Sequence, residues 1–432
     1  MPIVGAFMVP HPPLAVYEVG KERTIDIRTT IDNYNKVAKE IADLRPDTIV
    51  ISSPHAPLYK DAFYIINDTY AKGDLARFGA SEVSFNEKVD TSFKDELISL
   101  AINSNIPIAK LSNVELDHGT MVPLYFIEKY IKDFNLVVVG ISGISLKSNY
   151  KMGTLIKEVT DKLNRRVVYV ASGDLSHKLK EYGPYGYDEM GPVYDEKIMD
   201  VMKNARFNEL LSFDETLLDR ASECGHRSFI MMSGALENTE VTPNYYSHED
   251  VTGVGYGICS YYPKDKFIEL ARLTINEYIR NNKIYDINNV TDEELLNKKE
   301  AVFVSIHKNG DLRGCIGTVI PTKDNVAKEI ISNAISASTK DPRFPKVRVD
   351  ELDNLEVNVD ELSPSEKINS LDELDPKKYG VIVTSGFKRG LLLPDLEGVD
   401  TVEEQLSIAK RKGGITDNDD ITIERFTVIR HI

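Results

Sequence analysis

Short apolar runs alternate with amphipathic segments along the chain up to about residue 262. The strand-like runs lie at residues 4–9, 48–53, 136–141, 166–171 and 254–261. The segments with helical spacing of apolar residues lie at residues 31–44, 95–101, 121–132, 151–163 and 193–203. Runs of Val and Ile this short are typical of buried strands, whereas a 3.6-residue spacing indicates helices. The alternation predicts an α/β domain with a central sheet flanked by helices.

The pattern changes around residues 261–266, and a smaller α+β domain is predicted beyond them. Helices are expected at residues 267–281, 325–338 and 402–412, and candidate hairpin strands at 302–306, 312–320, 381–384 and 391–393. The first hairpin contains Lys308-Asn309-Gly310-Asp311, and Asn-Gly favours a tight turn between strands. Since 432 residues exceed one ordinary core, we place two domains at residues 1–262 and 263–432.

Charge and cysteine content narrow the class of protein. The chain has 52 Lys and Arg against 68 Asp and Glu, a formal net charge of -16, which disfavours nucleic acid as a partner. The sequence shows no signal-peptide pattern and no bilayer-spanning apolar run, so no membrane association is expected. Its cysteines, Cys224, Cys259 and Cys315, are too scattered for a disulfide framework. These features predict a cytoplasmic protein.

Three histidines follow strand-like runs closely. His11 comes after residues 4–9, His55 after residues 48–53, and His177 after residues 166–171. In α/β sheets, ligands collect beyond the carboxyl ends of the strands. Imidazoles gathered there favour zinc or iron, or transfer protons. We therefore expect a metal or proton-transfer site at this edge of the sheet.

A ferrous site with two histidines needs an anionic third ligand. The segment Ser222-Glu223-Cys224-Gly225-His226 offers two neighbouring candidates. Glu223 would complete a site of two histidines and one carboxylate, whereas Cys224 would supply a thiolate. His226 and His248 remain open between a role near the site and a place in a loop.

Four motifs in order carry a family resemblance. They are Pro10-His11-Pro12-Pro13, Ser53-Pro54-His55-Ala56-Pro57, Leu116-Asp117-His118-Gly119-Thr120 and Gly173-Asp174-Leu175-Ser176-His177. With them, nearly all of residues 1–262 resembles the class III extradiol dioxygenases of the LigB type, a group that includes the Memo proteins. Members of that family hold iron(II) with two histidines and a glutamate, and use a further histidine as acid and base.

The resemblance assigns roles to individual residues. It implies His11 and His55 as metal ligands, His177 as the acid and base, and His118 as a donor to substrate or oxygen. Asp174, three residues before His177, would orient that imidazole or cap a turn.

The third ligand differs between the branches of the family. Glu223 would match the dioxygenases and favour iron, whereas Cys224 matches the Memo branch and would favour copper, zinc or a redox role. We favour Glu223 and Fe(2+) at this stage.

The implied activity is an oxidoreductase that opens a catecholic or similar bidentate aromatic substrate. His177 would accept the substrate proton, which suits an imidazole of ordinary pKa ~6.5. The alternative is a Memo-like metal-binding scaffold, or a redox component without dioxygen, in a multiprotein system.

The C-terminal domain has its own candidate pocket in Leu312-Arg313-Gly314-Cys315-Ile316-Gly317. Strand alternation places Arg313 and Cys315 on one face, where the arginine would lower the thiol pKa and favour a reactive or anion-binding site. A structural arginine beside a small buried residue is the other interpretation.

This motif, with Asp341-Pro342-Arg343-Phe344-Pro345 and Arg389-Gly390-Leu391-Leu392-Leu393-Pro394, resembles the AMMECR domain over about residues 267–432. A LigB-type domain fused to an AMMECR domain is similar to proteins of the AmmeMemoRadiSam system. That similarity implies a radical SAM protein as a partner.

Overall fold

A computed structural model describes residues 3–308, 310–396, 398–416 and 419–431. The contacts divide the chain into two compact units, Met1–Pro263 and Lys264–Ile432. The first is α/β and the second is a smaller α+β unit, so the predicted fold class is confirmed. Asn309 of the predicted Asn-Gly turn lies outside the described residues. Gly310 has φ 85°, a conformation that glycine adopts without strain.

The N-terminal unit is built around one large mixed sheet and a separate hairpin. Its strands are β1 Ile3–Val9, β2 Thr48–Ser53, β3 Phe63–Ile66, β4 Tyr70–Leu75, β5 Ala80–Lys88, β6 Ile108–Leu111, β7 Asn135–Gly140, β8 Val167–Ser172, β9 Val241–Glu249 and β10 Tyr256–Pro263. Its α-helices are α1 Tyr17–Gly20, α2 Arg28–Asp43, α3 Thr91–Asn103, α4 His118–Ile127, α5 Leu146–Leu163, α6 Met190–Lys203, α7 Glu215–Ala221 and α8 His226–Ala235.

The strand order in the sheet is β6-β3-β7-β2-β8-β1-β10-β9, and β4 pairs with β5 outside it. The neighbours β7, β2, β8 and β1 run parallel, whereas β10 and β9 extend the sheet in antiparallel fashion beside β1. Parallel strands end at the same edge of a sheet. Val9, Ser53 and Ser172 therefore lie together at the carboxyl edge of β1, β2 and β8.

Helices cover both faces of this sheet. Alternate strand residues point to opposite faces, so Val50 and Tyr169 enter one core layer while Ile49 and Val168 enter the other. Buried residues of α3, α5, α6 and α8 line the first layer, and those of α2 and α4 line the second. Every residue of β2 and β8 is buried, as expected for strands covered on both sides.

The C-terminal unit contains two four-stranded sheets together with helices. Its strands are β11 Ala301–Lys308, β12 Asp311–Gly317, β13 Leu355–Leu362, β14 Glu366–Lys367, β15 Gly380–Ser385, β16 Lys388–Leu392, β17 Thr422–Phe426 and β18 Val428–His431. Its α-helices are α9 Lys266–Asn281, α10 Glu293–Asn297, α11 Val326–Thr339 and α12 Val402–Gly413. The sheet orders are β12-β11-β13-β18 and β14-β17-β15-β16. Among the described residues, no helix is both long and apolar enough to cross a bilayer.

An ion pair joins the last strand of this unit to the start of α9. Asp265 caps α9 by accepting hydrogen bonds from the N–H groups of Phe267 and Ile268, at 2.8 and 3.2 Å. Its other carboxylate oxygen lies 2.6 Å from Nδ1 of His431. Burial alone would lower the pKa of His431, but its hydrogen bond to Asp265 and the Glu361 carboxylate 3.8 Å from Nε2 outweigh it and raise the pKa to about 8.

This pKa predicts a pH-dependent stability of strand β18. Because the folded-state pKa of His431 exceeds the unfolded value of ~6.5, its contribution of roughly 2 kcal/mol is complete below pH ~6.5 and is lost as the pH rises through about 8. In hydrogen-exchange measurements on the full chain, His431→Gln should reduce the protection of β18 at pH 6 far more than at pH 9. His307→Gln, in β11, is the matched control. An equal loss at both pH values would contradict the ion-pair explanation.

Candidate metal centre

The parallel strands bring three polar side chains to one place. His11, His55 and Asp174 each lie two residues beyond the end of a strand, namely β1, β2 and β8. Since β8 lies between β1 and β2, Asp174 emerges between the two histidines. Its Oδ1 accepts a hydrogen bond of 2.8 Å from the backbone N–H of His11, which fixes the two loops against each other.

One cluster consists of imidazoles. The ring centroids of His11 and His55 lie 4.8 Å apart, those of His11 and His118 5.4 Å, and those of His55 and His118 4.2 Å. One ring nitrogen from each lies within 4.8 Å of the others, close enough to hold one ion. His118 is the first residue of α4, which Asp117 caps while accepting a hydrogen bond of 2.5 Å from Ser53.

A second cluster shares His11 with Asp174 and Cys224. The Sγ of Cys224 lies 3.5 Å from Nε2 of His11, and Oδ2 of Asp174 lies 3.9 Å from the same nitrogen. The backbone N–H of Asp174 also donates to Sγ, at 3.3 Å. Their ligand atoms lie within 4.8 Å of one another. His11, which is 1% exposed, is therefore common to both clusters.

Burial disfavours the charged forms of the groups at this centre. It lowers the pKa of His11 well below the usual range, with further contributions from His55, His118 and His177. It raises the pKa of Asp174 to about 7 and also raises that of the Cys224 thiol. Neutral imidazole is the form that binds metals, and a cation would stabilise the ionised carboxylate and thiolate. The donor set therefore fits a divalent metal ion.

Glu223 has a different position from the one expected of a ligand. Its Oε2 accepts a hydrogen bond of 2.5 Å from the backbone N–H of His226, at the start of α8, and burial raises its pKa to about 7. Neither cluster within the described residues contains it. Of the two candidates drawn from the sequence, Cys224 therefore lies beside His11, in the cluster with Asp174, whereas the favoured Glu223 does not; His55 belongs to the other cluster.

His177 lies beside the clusters. Its ring stacks on Tyr185 with centroids 4.9 Å apart, and its backbone N–H donates to the carbonyl of Ala221 at 3.0 Å. Burial, followed by the charge of His55, lowers its pKa to about 4. Its Nε2 is buried and has no hydrogen-bond partner among the described residues.

Asp174 was expected from the sequence to orient His177 or to cap a turn. Its carboxylate instead contacts the backbone N–H and the ring of His11. Asp195 in α6, which no sequence motif indicated, instead anchors the backbone next to His177. Asp195 accepts hydrogen bonds from the backbone N–H of Ser176, at 2.8 Å, and pairs with Nε2 of His248, at 2.7 Å.

His226 is a structural histidine. It is fully buried, its Nε2 lies 3.0 Å from the carbonyl of Leu210, and its Nδ1 lies 3.3 Å from the hydroxyl of Tyr194. Both ring nitrogens therefore have partners within the protein, and neither metal cluster of the described residues includes them.

The candidate pocket in the C-terminal unit needs a correction at Arg313. Its guanidinium donates to both carboxylate oxygens of Glu351, at 3.2 and 3.0 Å, and to the carbonyls of Pro345 and Lys346, at 2.7 and 3.2 Å. These partners leave little of the guanidinium available for an anion or for Cys315. They lie more than thirty residues further along the chain, where the strand pattern around Arg313 gives no information.

A different arginine lies beside Cys315. Arg343 donates to the backbone carbonyl of Cys315 at 3.2 Å and forms an ion pair with Asp341 at 2.7 Å. The hydroxyl of Ser305 donates to Sγ of Cys315 at 3.1 Å. The contacts of Cys315 thus come from Ser305, Asp341 and Arg343.

Comparison with known proteins agrees with this architecture. Residues 5–259 match the family described as the catalytic LigB subunit of aromatic ring-opening dioxygenase, and residues 268–431 match AMMECR1. A protein of Clostridium acetobutylicum is 39% identical over an alignment of 466 residues, which covers 100% of this chain and 99% of that protein.

Two further similarities cover part of the chain. A protein of Thermotoga maritima is 55% identical over 167 residues, covering 38% of this chain and 96% of its own length. A crystal structure of a protein from Pyrococcus horikoshii is 33% identical, with a TM-score of 0.36, and covers 38% of this chain and 88% of that one. With the LigB match over residues 5–259 and the AMMECR1 match over residues 268–431, the chain belongs to the LigB family through its N-terminal unit and carries an AMMECR1 domain after it.

Proposed function

We propose that the N-terminal unit is a metal-dependent oxidoreductase of the extradiol dioxygenase type, acting on a catecholic or similar bidentate small molecule. The observation that carries this proposal is the pair of ligand clusters that share His11 at the carboxyl edge of the sheet. Membership of the LigB family supports the reaction class. The lowered pKa values of His11 and His118 support metal binding, because they keep these imidazoles neutral.

His11 and His55 are the proposed histidine ligands, with Cys224 as the third ligand and Asp174 beside it. Iron(II) accepts imidazole and carboxylate donors, and copper or zinc are alternatives that a thiolate also suits. The two hydroxyls of the substrate would chelate a metal held by these residues, and coordination would lower their pKa. The exposed His55 and the half-buried His118 leave this side of the centre open to a small molecule.

His177 is the proposed proton acceptor. At neutral pH its imidazole is uncharged, because burial lowers its pKa to about 4. Its buried Nε2 has no partner among the described residues, so a substrate hydroxyl can occupy that position. Stacking on Tyr185 holds the ring in place. His118, stacked on His55, is the proposed donor toward the substrate.

The position of Cys224 favours a second candidate function. A thiol 3.5 Å from a histidine ligand suits a Memo-like metal-binding scaffold, or a redox component that works without dioxygen. In that case the unit would act within a multiprotein system, with a radical SAM protein as the proposed partner.

Metal content separates Cys224 from its neighbour Glu223. The full chain purified anaerobically should contain close to one metal ion, and elemental analysis identifies it. Cys224→Ala, and His11→Ala combined with His55→Ala, should lower metal affinity at least tenfold, because each removes a proposed ligand. Glu223→Ala is the matched control and should keep its metal. The ligand assignment would be overturned if Glu223→Ala lost its metal while Cys224→Ala kept it.

Substitution of His177 tests the proton-transfer role. His177→Ala should retain the metal, because His177 lies outside both ligand clusters, but should lose roughly 10²- to 10⁴-fold in turnover of a catecholic substrate. Oxygen uptake with a panel of catechols measures that turnover. Unchanged turnover in the variant would rule out His177 as the base. A metal-loaded parent that turns over none of these substrates would favour the second candidate function.

A further inference from the structure

A proline in α4 leaves one backbone carbonyl without its helical donor. In an α-helix the carbonyl of Gly119 would accept a hydrogen bond from the N–H of residue 123. Residue 123 is Pro123, which has no N–H. The hydroxyl of Ser172, the last residue of β8, donates to this carbonyl instead. Ser172 is fully buried, so water does not compete for the contact.

The same hydroxyl also contacts a proposed metal ligand. The Oγ of Ser172 lies 2.9 Å from Nδ1 of His11. A serine hydroxyl has a single proton, and here that proton is directed to the carbonyl of Gly119. Ser172 can therefore only accept a hydrogen bond from His11, which requires the proton of the neutral imidazole to be on Nδ1.

This tautomer leaves Nε2 of His11 unprotonated. Nε2 is the nitrogen that lies 3.5 Å from Sγ of Cys224 and 3.9 Å from Oδ2 of Asp174. A nitrogen binds a metal through its lone pair, so the protonation of Nδ1 selects Nε2 as the ligand atom. The opposite tautomer would place an N–H at the centre of the cluster and leave Gly119 without its donor.

We propose that Ser172 is a positioning residue that fixes the tautomer of His11 and so prepares Nε2 for metal binding, a role that Pro123 imposes by leaving the carbonyl of Gly119 without a helical donor. The part of this inference that concerns metal binding rests on the proposed function. The tautomer itself is a property of the metal-free protein and can be measured without any metal.

His226 provides an internal reference of opposite tautomer. Its Nε2 faces the carbonyl of Leu210 at 3.0 Å, and a carbonyl can only accept. The proton of His226 must therefore be on Nε2, and the hydroxyl of Tyr194 donates to its Nδ1. Both histidines are buried, so one spectrum should show the two tautomers side by side.

The first test is NMR of the metal-free full chain labelled with ¹⁵N-histidine, at pH 8, where a neutral imidazole of ordinary pKa predominates. Long-range ¹H–¹⁵N correlation should show His11 protonated on Nδ1 and His226 protonated on Nε2. His11→Gln removes and thereby assigns the His11 signals. Protonation of His11 on Nε2 would overturn the inference, whatever metal the protein binds.

The second test removes the hydroxyl. Ser172→Ala should turn the single His11 tautomer into a mixture and lower the affinity for zinc, used as the probe, about 10- to 100-fold. Ser52→Ala is the matched control, since Ser52 is equally buried on the neighbouring strand β2 and bonds to Ser228. An unchanged tautomer and unchanged affinity in Ser172→Ala would contradict the inference. Absence of zinc binding by the parent would instead count against the metal centre, and the tautomer result would still stand.

Discussion

The parallel strands β1, β8 and β2 lie side by side and end at the same level, and the geometry of the centre depends on this register. Val9 pairs with Ser172, and Ser52 pairs with Ala171, so the loops that follow leave the sheet together. A shift of one residue in either pairing would turn each side chain to the opposite face. The contact of His11 with Asp174 exists because the two strands are neighbours in space, although 163 residues separate them in the chain.

The protonation states of the clustered side chains determine which kind of ion this edge of the sheet can bind. Histidines this close together cannot all be protonated, and burial disfavours the charged forms of His11, Asp174 and Cys224. Imidazole lone pairs, a carboxyl group and a thiol therefore lie close together, with no positively charged group between them. A divalent cation stabilises the ionised forms of these groups and would displace their protons. The same burial keeps the imidazole of His177 neutral at neutral pH.

Much of this arrangement can be predicted from the sequence, because fully buried parallel strands produce distinctive apolar runs. That pattern identified β1, β2, β7 and β8, and therefore the edge at which His11 and His55 lie. It missed β3, β4, β5, β6 and β9. Strands β4 and β5 are largely exposed and carry no continuous apolar signal, and β3 and β6 have only four residues each. The sequence also could not show which of Glu223 and Cys224 faces His11. Adjacent residues point in different directions, and the start of α8 decides which of them turns toward His11.

Hydrogen-bond partners that are distant in the sequence could not be predicted either. Arg313 was a candidate for an anion site because a strand pattern shows its face but not Glu351, to which it binds. In the sequence, Ser172 is simply a polar residue at the end of an apolar run, and nothing in that pattern indicates a function. Its role emerges only when Gly119, across the sheet edge, is seen to lack a donor because of Pro123.

X-ray absorption spectroscopy of the zinc-loaded full chain tests the central claim most directly, because it reports the atoms bound to the metal. The account predicts one sulfur at about 2.3 Å together with imidazole nitrogens at about 2.0–2.1 Å. Loss of the sulfur contribution in Cys224→Ala would assign it to that residue. A coordination shell of the parent that contains only nitrogen and oxygen would contradict a centre built from His11, His55 and Cys224.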